Sequence, residues 1–291
     1  MKLKKGMTYS HEHVAIDLSG VKKNDDCRLD CFRDTVDEFI ELKEKGVGNI
    51  IELTNRGMGR DVPYMQKVAE ETGLNILFAT GFYKEPFLPK EAYDLDEKGM
   101  AKLMISEILQ GIEGSYEKAS IIGEIGSSKD VITPIERKIF QAGSRAHIET
   151  GAPIITHTTL GTMGLEQIEM FKNYGINLDK VIISHVDLSG SLDYILRLID
   201  TGANVAFDTI GKENYQPDGL RIDLLKEIAE RGLSGKVLLS MDITRKSNFK
   251  VQGGIGYSYL LDKFLPSLRE SGVSEKAIAN MTDENIRRIL S

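Results

Sequence analysis

The sequence predicts an α/β fold, a (β/α)8 TIM barrel, on three observations. Short apolar, β-branched runs alternate with longer amphipathic segments from one end to the other. Glycines stand where the helices between those runs should stop. The chain has 291 residues, beyond the common domain size of roughly 100–150 but suited to one barrel, for which about 250 is typical. A single barrel domain over residues 1–291, with its site at the C-terminal strand ends, is therefore expected.

The expected strands are Thr8–Leu18, Val47–Thr54, Leu74–Gly81, Ala119–Ile125, Ala152–Thr158, Lys180–Asp187, Ala203–Thr209 and Lys236–Ile243. Most are near-continuous Ile, Val and Leu, as befits parallel strands covered on both faces. Between them, segments such as Asp30–Lys45 carry helical spacing, with Phe32, Val36, Phe39, Ile40 and Leu42 on one broad stripe. Gly46, Gly73, Gly151, Gly175, Gly202, Gly232 and Gly272 mark helix ends, a left-handed position that glycine fills at least cost. Thr133-Pro-Ile-Glu136 reads as a capping box with proline at the first helical position, so a helix starts there. The doubly wound alternative lacks its fingerprint, because neither Gly57-Met-Gly59 nor Gly254-Ile-Gly256 completes the dinucleotide-binding spacing.

Three longer connections, Ser19–Leu29, Phe82–Lys98 and Lys246–Tyr257, should lie on the C-terminal face, where barrel active sites sit. A net charge of −7 without a Lys/Arg block argues against a nucleic-acid partner. No apolar run approaches the ~18–20 residues of a membrane span, and the polar start leads into no signal-peptide core, so no membrane partner and a cytoplasmic location are expected. Cys27 and Cys31 are too few for a disulfide framework, and their spacing is not a usual zinc pattern.

Chemistry collects at the strand ends. In Ser10-His-Glu-His13 the two histidines, being i and i+2, share one strand face while Glu12 points to the other. Glu124, His157, His185, Asp208 and Asp242 each close an Ile/Val run on five successive strands. An ionisable group there is costly to bury unless paired or metal-bound. The chain has only five histidines, and four of them fall at this one structural address. His11, His13, Glu124, His157, His185 and Asp242 make a nitrogen-rich set suited to zinc, or to manganese, cobalt or nickel. Six ligands suit two divalent transition-metal ions sharing a carboxylate, with Glu124 as the bridge. Ions ~3.5–4 Å apart can hold a hydroxide between them. Asp242 could take the proton from that hydroxide as the catalytic base. His147 falls inside a helix and reads as structural, and Glu12 should pair behind the first strand. Asp208 leaves three roles open: orienting a ligand, binding substrate or satisfying nearby amides. Glu52 reads as a structural acceptor.

At this point the chain resembles the phosphotriesterase branch of the amidohydrolase superfamily and is similar to the bacterial phosphotriesterase homology proteins. The resemblance runs nearly end to end. It is carried by Ser10-His-Glu-His13, Thr54-Asn-Arg-Gly-Met-Gly-Arg60, Gly123-Glu-Ile-Gly126, Thr156-His-Thr158, Phe207-Asp-Thr-Ile-Gly-Lys212 and Ser240-Met-Asp-Ile-Thr-Arg245. It implies one metal on His11, His13 and Asp242, a second on His157 and His185, a bridge at Glu124, and a homodimer. Organophosphate-degrading relatives bridge with a carboxylated lysine and carry a histidine after the strand-seven aspartate. Here Glu124 and Thr209 stand in those places, and the chain has no tryptophan. These departures count against triester hydrolysis. The expected activity is hydrolysis of a small ester, a lactone or sugar lactone, phosphorylated or not. A phosphoester hydrolase on the same site and a metal-binding barrel without turnover are the alternatives. Lys212 and Arg245 follow strands seven and eight, a frequent phosphate-binding place in barrels, and are expected to bind an anionic substrate group, with Tyr83 and Arg60 as further candidates.

Overall fold

A computed structural model describes residues 3–291 of the chain. Eight parallel strands follow one another around the sheet in chain order. They are β1 (Met7–Glu12), β2 (Val47–Glu52), β3 (Asn75–Thr80), β4 (Ala119–Ser127), β5 (Ile154–Thr158), β6 (Val181–Ser184), β7 (Asn204–Phe207) and β8 (Val237–Leu239). The seam between β8 and β1 is closed by hydrogen bonds rather than by a full ladder. The His11 amide donates to Ser240 Oγ at 3.1 Å, and the Asp242 amide donates to the His11 carbonyl at 3.2 Å.

The intervening helices are α1 (Phe32–Glu44), α2 (Val62–Thr72), α3 (Glu97–Leu109), α4 (Pro134–Thr150), α5 (Gly164–Asn173), α6 (Leu192–Asp200) and α7 (Asp218–Glu230). The seven expected stop glycines all have positive φ. The Thr133–Glu136 capping box is formed at the start of α4.

Paired isoleucines show why the strand runs are continuous. Ile51, Ile121, Ile155 and Ile182 fill the barrel interior, while Ile50, Ile122, Ile154 and Ile183 pack beneath the helices. Both faces are buried, so both alternate positions must be apolar. Ile286 and Ile289, on a last helix at Asn285–Leu290, join the interior cluster. Asn285 Nδ2 anchors that helix by donating to the carbonyls of Ser234 and Val237, before and at the start of β8, at 2.8 and 2.7 Å.

Seven of the eight expected strands are shorter than the sequence suggested, β1, β6 and β8 by the most. The ladder of β1 ends at Glu12, and Ile16–Asp17 instead pairs antiparallel with Arg28–Leu29 inside the first long loop. The chain leaves β6 before His185 and β8 before Asp242, and both residues take left-handed backbone conformations, with φ of 60° and 50°. Such a conformation costs on the order of 1–3 kcal/mol for a non-glycine residue and tends to occur where surrounding contacts enforce it. Apolar pattern alone does not show where pairing gives way to such a turn.

Candidate metal centre and the relatives that share it

The strand ends converge on a cavity of about 630 Å³. Glu124 is its centre. The β4–β5 register shifts between Ile122 and Ile125, an irregularity of the kind that re-aims a side chain. Glu124 Oε1 then lies 3.6 Å from His13 Nε2, and Oε2 lies 3.5 Å from His11 Nε2. On the other side Oε2 is 3.2 Å from His157 Nδ1 and 3.7 Å from His185 Nε2. Asp242 Oδ1 closes the first group, 3.3 Å from His13 Nε2 and 3.7 Å from His11 Nε2.

These separations fit a metal. Bonds of roughly 2.1 Å at tetrahedral angles place ligand atoms about 3.4 Å apart. His11 Nε2 is buried and has no hydrogen-bond partner among the described residues, so it has a lone pair to offer. His11, His13 and Glu124 form one potential ligand group, and Glu124, His157 and His185 form another, sharing the carboxylate. The structure thus brings all six sequence-derived candidates to one place.

Residues behind the ligands aim them. Asp208 Oδ1 accepts from His185 Nδ1 at 2.8 Å, and its Oδ2 lies 2.8 Å from His11 Nδ1. His13 Nδ1 pairs with Thr54 Oγ1 at 2.8 Å. His157 Nε2 lies 3.2 Å from Thr159 Oγ1, leaving Nδ1 toward Glu124. Partners of this kind fix the ring orientation and tautomer of a metal-binding histidine. Of the three roles open to Asp208, its contacts support two: it orients the His185 and His11 rings, and it accepts from the His185 amide. Thr54 and Thr159 carry no spacing signal that could have marked them in the sequence.

The electrostatics follow from burial against pairing. Burial alone would raise Asp242, but the Lys212 ammonium and the hydrogen bond with His13 hold it well below the usual carboxylate range. Asp208 is likewise lowered against its burial, by the charges of His185 and His11. Burial would lower His13, yet its hydrogen bonds with Asp242 and Glu124 push it up to about 10. Burial and the adjacent His185 bring His157 down to about 4.

Glu12 and Glu52 sit behind the site, as expected. Glu12 Oε1 accepts from Ser240 Oγ and the Met241 amide at 2.7 and 2.8 Å, and Oε2 accepts from the Ile243 amide at 3.0 Å. Burial, opposed by these bonds, raises Glu12 to about 7. Glu52 accepts from the amides of Thr54 and Val14. His147 is buried on α4, its Nδ1 2.8 Å from the Ala152 carbonyl.

Among the substrate-binding candidates, Lys212, Arg245 and Tyr83 line the cavity. Lys212 Nζ donates to Asp242 Oδ2. Arg245 Nη1 lies 3.5 Å from Asp26 Oδ2, and the Tyr83 hydroxyl lies 3.2 Å from His157 Nδ1. Arg60 is elsewhere. Its guanidinium is buried against both Glu107 oxygens at 2.7 and 2.9 Å, and also donates to Glu113 and the Ala79 carbonyl. The buried Glu107 needs a counter-ion, and satisfying it uses the donors that a substrate would require.

The model of the Phosphotriesterase family matches residues 2–290. The chain belongs to that family. It is 49% identical to the phosphotriesterase homology protein of Escherichia coli, over 96% of each chain. A crystal structure of the Escherichia coli phosphotriesterase homology protein, complexed with phosphate in the active site, superposes with a TM-score of 0.97 at 48% identity, covering 98% of this chain and 99% of that one. A phospho-furanose lactonase from Mycoplasmopsis synoviae is 31% identical over 99% of this chain and 88% of its own length. The family assigns the chain to metal-dependent hydrolases and agrees with the barrel. No helix among the described residues is long and apolar enough to cross a membrane.

Proposed function

We propose that the chain is a two-metal hydrolase of small anionic esters, with a phosphorylated sugar lactone as the substrate class. The observation that carries this reading is the Glu124 carboxylate set between two histidine pairs, in the same cavity as Lys212 and Arg245. His11, His13 and Asp242 would hold one ion, His157 and His185 the other, and Glu124 both, with zinc the ion best matched to this donor set. When bound, such ions supply an activated water and polarise the bond to be cut.

The protein's own groups divide the remaining work. Asp242 turns Oδ1 toward the histidines and Oδ2 toward Lys212. The Lys212 charge keeps Asp242 ionised, ready to accept a proton from the attacking water. The Tyr83 hydroxyl, buried beside His157, offers a hydrogen bond to a substrate oxygen. Arg245 presents a planar fork to a phosphate or carboxylate. The phosphate named in the active site of the Escherichia coli structure and the substrate class named for the Mycoplasmopsis relative support an anionic substrate here.

The test is a panel of lactones, phosphorylated lactones, carboxyl esters and organophosphates offered to the metal-loaded protein. Phosphorylated lactones should be hydrolysed in preference to their neutral analogues. Arg245→Met should lower kcat/KM for the phosphorylated compound by about tenfold or more, the scale of one charged hydrogen bond, and leave the neutral one almost unchanged. Full metal content with no turnover on any of the panel would refute the reading.

A further inference from the structure

Lys84 is 9% exposed and lines the cavity, yet it has no carboxylate partner within 4 Å among the described residues. Among the described residues its one acceptor is the carbonyl of its neighbour Glu85, at 2.8 Å. Three nearby acids, Glu85, Glu124 and Glu136, are engaged elsewhere. Glu85 accepts from the Tyr93 hydroxyl at 3.1 Å. Glu136 accepts from the Ser128 hydroxyl and the Thr133 amide, and Glu124 faces the four histidines. A buried ammonium with two unused donors and no counter-ion is expensive to maintain.

The surroundings are built to keep it there. The Lys84 stem lies across Gly126, where a Cβ would come within 3.2 Å of Lys84 Cβ and 3.1 Å of His157 Cβ. A side chain there would push its neighbours back by a few tenths of an ångström, so glycine leaves the notch open at least cost. Its ammonium lies 5.4 Å from the centre of the Phe87 ring, and Lys22 from the first loop lies 5.8 Å from the same ring. Both lysines, Phe87 and Tyr83 line the cavity. Lys84 follows β3 and Lys212 follows β7, four strands apart in an eight-strand order. The two cations therefore enter the cavity from opposite sides of the barrel, with the Glu124 cluster between them.

We propose that Lys84, supported by Lys22, is a second anion-binding station facing Lys212 and Arg245, so that the preferred substrate within the phosphorylated class carries a further anionic group at the end opposite its phosphate. The reaction is then the cleavage of a bond lying between two negative charges. This deepens the hydrolase reading and rests on it for the choice of cavity. It separates the substrate from simple neutral lactones and from triesters, which carry no charge for either station.

The probes are 3-phosphonopropanoate, with two anionic ends, and propylphosphonate, with one, titrated calorimetrically into the metal-loaded protein. The wild type should bind the doubly charged probe about tenfold more tightly, the scale of one charged hydrogen bond. Lys84→Met should abolish that preference and leave the propylphosphonate Kd within about twofold, while Lys84→Arg should keep it. If Lys84→Met does not fold, Lys22→Met, at an exposed position, should still narrow the preference. No preference in the wild type, or a preference that survives Lys84→Met, overturns the second station. Either result leaves the hydrolase reading standing if phosphorylated lactones are still turned over. Conversely, the binding preference without turnover on any ester supports the station and removes the proposed reaction.

Discussion

Asp208 holds His185 twice: its Oδ1 accepts from the backbone amide of His185 and from the Nδ1 of the same residue, each at 2.8 Å. The first bond supports the left-handed backbone at His185, and the second fixes the ring with Nε2 toward Glu124. One carboxylate at the end of β7 thus sets both the position and the tautomer of a candidate ligand.

Asp208→Asn should therefore weaken the site without removing a ligand. Metal affinity should fall by roughly 10–100-fold, the usual effect of losing such a partner. Competition against a chelator of known affinity measures it. An unchanged affinity would show that the two hydrogen bonds do not govern the site.

Glu124 belongs to a potential ligand group with each histidine pair. Purified wild-type protein should hold close to two transition-metal ions per chain, and Glu124→Ala at most one. Elemental analysis after metal loading reads the stoichiometry directly. A wild type that never exceeds one ion would overturn the shared-carboxylate arrangement.

Asp242 has one oxygen directed at the histidines and the other at Lys212. Asp242→Asn should slow hydrolysis of a phosphorylated lactone by roughly 10²–10⁴-fold, the range for lost general acid–base catalysis. Turnover is to be compared at measured metal content, because the change also touches a candidate ligand. Near-wild-type turnover at full metal content would take Asp242 out of the proton transfer.

Glu107 makes a stability prediction away from the chemistry. Burial would raise its carboxyl, but Arg60, Thr80 and Arg56 hold it below the ordinary range. A group with a lowered folded-state pKa stabilises the fold above its unfolded value, about 4.3 for glutamate, and loses that contribution as pH falls through the folded value. In metal-free protein, the wild type should be more stable than Glu107→Gln near pH 7. The gap in urea midpoints should narrow as pH drops below about 4. A gap independent of pH would assign the difference to packing rather than charge.

The barrel was legible in the chain, because continuous Ile/Val runs, helix-stop glycines and the capping box at Thr133 are local signals, each enforced by neighbours along the chain. The sequence also singled out the candidate ligands. Four histidines and two acids at the ends of such runs have one common meeting point, the C-terminal rim, whatever the details of packing. Tertiary structure decided what those residues do for one another. Nothing in the spacing of Asp208 and His185 shows that one carboxylate holds the other's backbone, since the pair is formed by adjacent strands. The sequence placed Arg60 on a rim loop but could not show its guanidinium turning to Glu107, because that partner lies on α3. Lys84 carries no local signal for the same reason. Its burial depends on a notch at Gly126 in a different strand, and only the folded chain places a charge there without a counter-ion.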